Sequence, residues 1–141
     1  IFDLYDYILV DNPPSLGLLT INGLVASREI IIPVQCEYYA LEGLSQLVNT
    51  IGLIREHLQP ELKILGAVMT MYDSRNKLSE AVFNELYQHF PARIFRSVVP
   101  RTVRLAEAPS HGLPVREYDP KSRGSKAYQR LAREVILTET N

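Results

Sequence analysis

Asp11 closes an apolar run, Tyr7-Ile8-Leu9-Val10, and is followed at once by Asn12-Pro13-Pro14-Ser15. A carboxylate at the end of an apolar strand can hold a Mg²⁺-bound water beside a nucleotide's phosphates. The same residue could instead cap the next helix or open the turn before Pro13-Pro14. Two more polar sequences stand at the ends of apolar runs: Thr70-Met71-Tyr72-Asp73 and Pro100-Arg101-Thr102. In open α/β sheets, ligands bind beyond the C-terminal ends of the strands, so all three places could take part in one chemistry.

Other catalytic patterns find little support. His57, His89 and His111 are scattered and lack the spacing of a zinc site. His57 and His89 fall near the ends of predicted helices, where a dipole contact explains them. The lone Cys36 follows an apolar run and reads as a buried structural thiol rather than a nucleophile. Tyr38-Tyr39 and the other tyrosines read as packing or interface residues rather than base-stacking platforms. The chain contains neither a Gly-x-Ser-x-Gly elbow nor a Gly-rich phosphate loop, so Asp11 has no phosphate cradle within these residues.

The elements that would position these residues are legible as strands and helices in alternation. Tyr7–Val10, Ile30–Val34, Ile64–Thr70 and the weaker Ser97–Pro100 are apolar runs without polar alternation, the pattern of strands covered on both faces. Leu41, Leu44, Leu47, Val48, Ile51, Ile54 and Leu58 recur at helical spacing, closed by Pro60. Leu78, Val82, Phe83, Leu86 and Phe90 repeat the pattern before Pro91, and Ala127 to Ile136 form a last helical stripe. The alternation predicts right-handed βαβ units in an α/β fold with a mainly parallel sheet. With 141 residues, 46% hydrophobic and 22% charged, the chain fits one soluble domain or most of one. No apolar run nears the roughly 18 residues of a membrane span, and the single cysteine excludes an internal disulfide framework.

The net charge of −1 conceals a segregation. Residues 1–92 carry five Arg and Lys against eleven Asp and Glu, whereas residues 93–133 carry ten against three. Such an imbalance points to a basic face turned toward a polyanion, or to solvated helix faces whose charges mix on folding.

The residues as a set resemble the ParA/Soj family of chromosome- and plasmid-partitioning ATPases. The resemblance is carried by Tyr5-Asp6-Tyr7-Ile8-Leu9-Val10-Asp11-x-Pro13-Pro14-Ser15-Leu16-Gly17 and by Pro33-Val34-Gln35-Cys36-Glu37-Tyr38-Tyr39-Ala40-Leu41-Glu42-Gly43. It continues through Thr70–Arg75, Pro100–Leu105, Glu107–Gly112 and Tyr118–Gly124, and so spans essentially the whole chain. It implies the C-terminal part of a P-loop NTPase-type three-layer domain that binds ATP and Mg²⁺ and forms an ATP-bound homodimer. That dimer would bind DNA without sequence preference, and a ParB-type protein would stimulate hydrolysis. The setting implied is cytoplasmic and nucleoid-associated, with no membrane attachment.

The resemblance also assigns roles. Asp11 matches the Walker B aspartate, acting on Mg²⁺ through water, and Pro13 and Pro14 open the switch that senses the γ-phosphate. Met71 with Tyr72, and Pro100 with Arg101, match loops near the adenine; Arg101 stands between nucleotide, DNA and loop support. Arg75 and Arg104 match DNA-contacting arginines, and Arg93, Arg96, Lys121, Arg123, Lys126 and Arg130 could widen that surface. Asn12 departs from the family, where Cys is usual. The family's Lys-Gly-Gly-x-Gly-Lys-Thr loop and catalytic aspartate are expected upstream of Ile1. Residues 1–141 taken alone are therefore expected to be catalytically inactive and prone to association through an exposed apolar strand edge. A truncated DNA-binding or dimerisation module is the alternative from another class. A MinD-like division-site ATPase is disfavoured, because the tail Ile136-Leu137-Thr138-Glu139-Thr140-Asn141 is no basic amphipathic helix.

Overall fold

The computed structural model describes residues 3–37 and 40–139. Tyr38 and Tyr39, named above as packing residues, lie outside the described residues. The chain divides into two compact units, Ile1–Ile30 with Leu44–Lys63, and Ile31–Gly43 with Ile64–Asn141.

The first unit holds α1, Leu18–Ala26, and most of α2, Ala40–His57. The expected apolar stripe of α2 buries Ile51 and Ile54. Its end is fixed where the amides of Leu58 and Gln59 both donate to the Ile54 carbonyl, at 2.8 Å each. The side chain of Gln59 then donates to the carbonyls of Val25 (3.2 Å) and Ser27 (3.4 Å), satisfying groups at the end of α1 that lack helical partners. The strand expected at Tyr7–Val10 does not form: these residues lie outside any strand, and Leu9 is 87% exposed. An apolar run becomes a strand only where a neighbouring backbone completes its ladder, and apolarity alone does not supply one.

The second unit is built on parallel pairing. β1, Glu29–Gln35, and β2, Lys63–Thr70, run side by side, and the Cys36 amide donates to the Thr70 carbonyl at 3.0 Å. Gly66–Met69 of β2 are buried without alternation, as a strand covered on both faces requires. Along the other edge of β2 runs the segment 93–101, joined by parallel bridges Ala67↔Ile94 and Tyr72↔Pro100. The weak run at Ser97–Pro100 thus does lie beside β2, although only as isolated bridges. Val68, Phe95 and Val99 form the core, with Ile31, Leu65, Leu105, Leu131 and Val135 packed around them. Gly66 makes room for Phe95, whose ring carbon would stand 2.8 Å from any added Cβ.

The ladder breaks for an identifiable reason. From Ala67↔Ile94, regular spacing would bring the Ser97 amide to the Met69 carbonyl, yet the Val99 amide takes that place at 2.8 Å. Arg96 and Ser97 drop out of the ladder, and their amides donate to the two carboxylate oxygens of Glu134 at 2.7 and 2.9 Å. Burial opposes ionisation of Glu134, but these amides and the nearby Arg93 outweigh it and hold the carboxyl below its ordinary 4.5. A depressed carboxylate stabilises the fold above its unfolded pKa, and that contribution fades as pH falls through the folded value. We expect Glu134→Ala to cost about 2 kcal/mol at neutral pH, because it strands two amides. The cost should shrink below pH 4.5; chemical denaturation at pH 7 and pH 3.5 checks both, and equal stability at pH 7 would contradict the role.

α3, Lys77–His89, and α6, Arg123–Glu139, match the periodic stripes. Asn76 caps α3 by accepting from the Leu78 amide at 3.0 Å. Between them stand α4 (Val103–Glu107), a 3₁₀ turn (Ala108–His111) and α5 (Val115–Tyr118), which the sequence did not announce. Among the described residues, no helix is long and apolar enough to cross a membrane.

Candidate functional site

In the first unit, Asp11 is exposed and makes no side-chain hydrogen bond or ion pair among the described residues. The loop after it is pinned. The Thr20 hydroxyl donates to the Ser15 carbonyl and lies 3.3 Å from that of Pro13, so one buried side chain of α1 fixes the path of Pro13-Pro14-Ser15. Asn12 donates to the Val10 carbonyl at 3.2 Å and packs on Gly23, where an added Cβ would fall 2.0 Å from its Oδ1. Thr20 and Gly23 were not singled out from sequence, although their placement nine and twelve residues after Asp11 puts both on the helix that follows the loop.

In the second unit, β1, β2 and segment 93–101 end together. Tyr72 and Pro100 are paired, and the Arg101 amide donates to the Tyr72 carbonyl at 3.0 Å. Met71, Tyr72, Pro100 and Arg101 are therefore brought together at one end of the strands. Met71 holds φ at 54°, the one non-glycine residue with positive φ among the described residues. Its left-handed turn inserts an extra residue into the pairing with segment 93–101 just past the end of β2, before Tyr72, and such strain is tolerated only where the surroundings enforce it. A cleft of about 260 Å³ opens here, lined by Cys36, Glu37, Met71, Asn76, Leu78 and Arg101. Burial pushes the Cys36 thiol up to about 11, so it stays protonated at neutral pH and does not act as a nucleophile.

The two arginines marked for DNA are each braced by carboxylates. Arg75 donates through Nε and Nη2 to both oxygens of Asp73, at 3.1 and 2.9 Å. The Arg75 guanidinium and amide hold the Asp73 carboxyl down to about 2. Arg104 meets Glu107 at 3.0 Å through Nη1 and Asp119 at 3.4 Å through Nε. The Tyr118 hydroxyl donates to the same Glu107 oxygen at 3.2 Å, and His111 stacks on the Tyr118 ring at 4.8 Å. The Glu107–Gly112 and Tyr118–Asp119 motifs thus converge on Arg104. Both guanidiniums are exposed, at 88% and 55% of the side chain. Sequence reading missed the bracing carboxylates, yet Asp73 and Arg75 two apart, and Arg104 and Glu107 at helical spacing, were signals for them. Among the described residues, no group of three or more His, Cys, Asp or Glu side chains is placed to hold a metal ion.

The α/β fold with its parallel strands is that of solved structures of the P-loop ATPase type. The cobyrinic acid a,c-diamide synthase of Mycobacterium smegmatis superposes with a TM-score of 0.68 at 36% identity, over 86% of this chain and 42% of that one. That enzyme is known with ADP and magnesium and with an ATP analogue and magnesium. An AAA domain family model matches residues 1–64. The sporulation initiation inhibitor protein Soj of Bacillus subtilis is 56% identical over 93% of this chain. The chromosome-partitioning ATPase Soj of Treponema pallidum is 48% identical over 97%, and the chromosome partitioning protein ParA of Myxococcus xanthus 51% over 96%. The chain belongs to the ParA/Soj family of chromosome-partitioning proteins. It spans about half the length of these relatives, from 48% to 54%.

Proposed function

We propose that the full-length protein is a partitioning ATPase in which Mg²⁺ and ATP drive homodimerisation and the dimer binds DNA without sequence preference. A ParB-type protein then stimulates hydrolysis and releases it, in the cytoplasm at the nucleoid. Residues 1–141 are the C-terminal part of its ATPase domain, with the phosphate loop supplied by preceding sequence. The observation that carries the reading is that Arg75 and Arg104, the two positions the resemblance marks for DNA, are both exposed and braced by carboxylates.

The residues present fit the nucleotide and its metal. The cleft beside Met71 offers apolar surface from Met71 and Leu78, with Asn76 and Arg101 to select among polar edges of a base. Asp11 offers a single open carboxylate, which suits Mg²⁺, an ion that keeps most of its waters. Bound there, the ion would neutralise charge that develops on the phosphates. Thr20 fixes the path of the Pro13-Pro14-Ser15 segment that follows Asp11. At the DNA face, Asp73 orients Arg75, and Glu107 with Asp119 orient Arg104, so little side-chain freedom remains to be lost on binding.

Sedimentation velocity of the full-length protein tests the switch. Mg²⁺ with a non-hydrolysable ATP analogue should convert monomer to dimer, and ADP should not; a state indifferent to nucleotide would overturn the reading.

A further inference from the structure

Arg123 is the first residue of α6 and makes no side-chain hydrogen bond or ion pair among the described residues. It lines a second cleft, of about 290 Å³, together with Tyr72, Ser74, Arg75, Pro100 and Arg101. Three arginines from three separate elements line it: Arg75 of the loop after β2, Arg101 of segment 93–101 and Arg123 at the start of α6.

The charge balance selects the ligand. Asp73 is the one carboxylate lining this cleft, and it is occupied by Nε and Nη2 of Arg75. That leaves Nη1 of Arg75 without a hydrogen bond among the described residues. Arg101 touches Glu37 only at 3.4 Å. Three cations against one engaged carboxylate repel a metal ion and attract an anion. Guanidinium forks match phosphate oxygens two at a time. The positive end of α6, a helix of 17 residues, adds to the same field. The hydroxyls of Ser74 and Tyr72 supply further donors at the rim.

We propose that this cleft is a phosphate-binding site to which Arg123 contributes a third guanidinium beside Arg75 and Arg101. A phosphodiester of the DNA backbone and a free phosphate present the same oxygens. The source depends on the DNA reading given above; the site itself does not.

Two arms separate the sources, both on the full-length protein. In the first, duplex DNA binding of Arg123→Gln is followed at several salt concentrations with ATP present. Occupation by a DNA phosphate, one from each subunit of the dimer, predicts a loss of roughly ten- to hundredfold in affinity and a fall of about two in the slope of log affinity against log salt. Arg123→Lys should keep the slope and lose part of the affinity, because it keeps the charge without the fork. In the second arm, inorganic phosphate is titrated while the arginine Nε–Hε resonances are observed by NMR. Shifts at Arg75, Arg101 and Arg123 that vanish in Arg123→Gln, with DNA affinity unchanged, assign the site to a free phosphate. That result leaves the proposal standing even if DNA binding fails altogether. Unchanged DNA affinity and slope together with unmoved resonances in the parent overturn the proposal. Should Arg123→Gln fold poorly, Arg123→Lys and the titration of the parent decide the question.

Discussion

Asp11→Ala in the full-length protein is expected to lower Mg²⁺-dependent ATP turnover by about 10²- to 10³-fold, roughly 3–4 kcal/mol of lost charge stabilisation. The fold should hardly notice. Asp11 is exposed and unbonded among the described residues, so its truncation belongs with surface changes within about 0.5 kcal/mol. A steady-state ATPase assay beside a denaturation curve separates the two effects. Normal turnover with unchanged Mg²⁺ dependence would remove Asp11 from the site.

The second large effect concerns DNA. Arg75→Ala combined with Arg104→Ala removes two phosphate contacts per subunit and four per dimer. Each contact contributes a slope of about 0.9, so the double variant should bind about 10³-fold more weakly at about 0.1 M salt, with a slope smaller by roughly 3 to 4. ATP-driven dimerisation should persist. Both arginines are exposed, and their ion pairs with Asp73, Glu107 and Asp119 lie at the surface, where such pairs add little to stability. Fluorescence anisotropy on a labelled duplex measures the loss; unchanged affinity in the double variant would sink the assignment of the DNA face.

Much of this architecture was legible because its signals are local. The stripe from Leu41 to Leu58 became α2, and that from Leu78 to Phe90 became α3, each closed by the proline that the sequence shows. The apolar run at Ile64–Thr70 became β2, and its Gly66–Met69 are buried without alternation because both faces of the strand are covered. Tyr7–Val10 shows the limit of the same logic: its apolar residues mark a potential strand, but pairing depends on a partner the run itself does not encode. The broken ladder at Arg96 and Ser97 was equally hidden, since the carboxylate that accepts both amides lies 38 and 37 residues onward at Glu134. The short helices between Val103 and Tyr118 span too few turns to show a period.

The site was legible in its residue types and less so in its supports. Met71, Tyr72, Pro100 and Arg101 were named together, and the Tyr72–Pro100 bridge joins them. The left-handed backbone of Met71 could not be foreseen, because methionine carries no preference for it. Thr20 acts on Pro13 and Ser15 through a hydroxyl that looks ordinary in a helix. Arg104 needed Glu107 of its own short helix α4 and Tyr118 and Asp119 at the end of α5, a convergence only the fold displays.

The most direct test of the account is DNA binding by the full-length protein in Mg²⁺ with ATP and with ADP, each at low and moderate salt. Tight, salt-sensitive binding to duplexes of unrelated sequence in ATP, lost in ADP, is the predicted result. Binding that ignores the nucleotide, or the absence of binding in ATP at low salt, would contradict it.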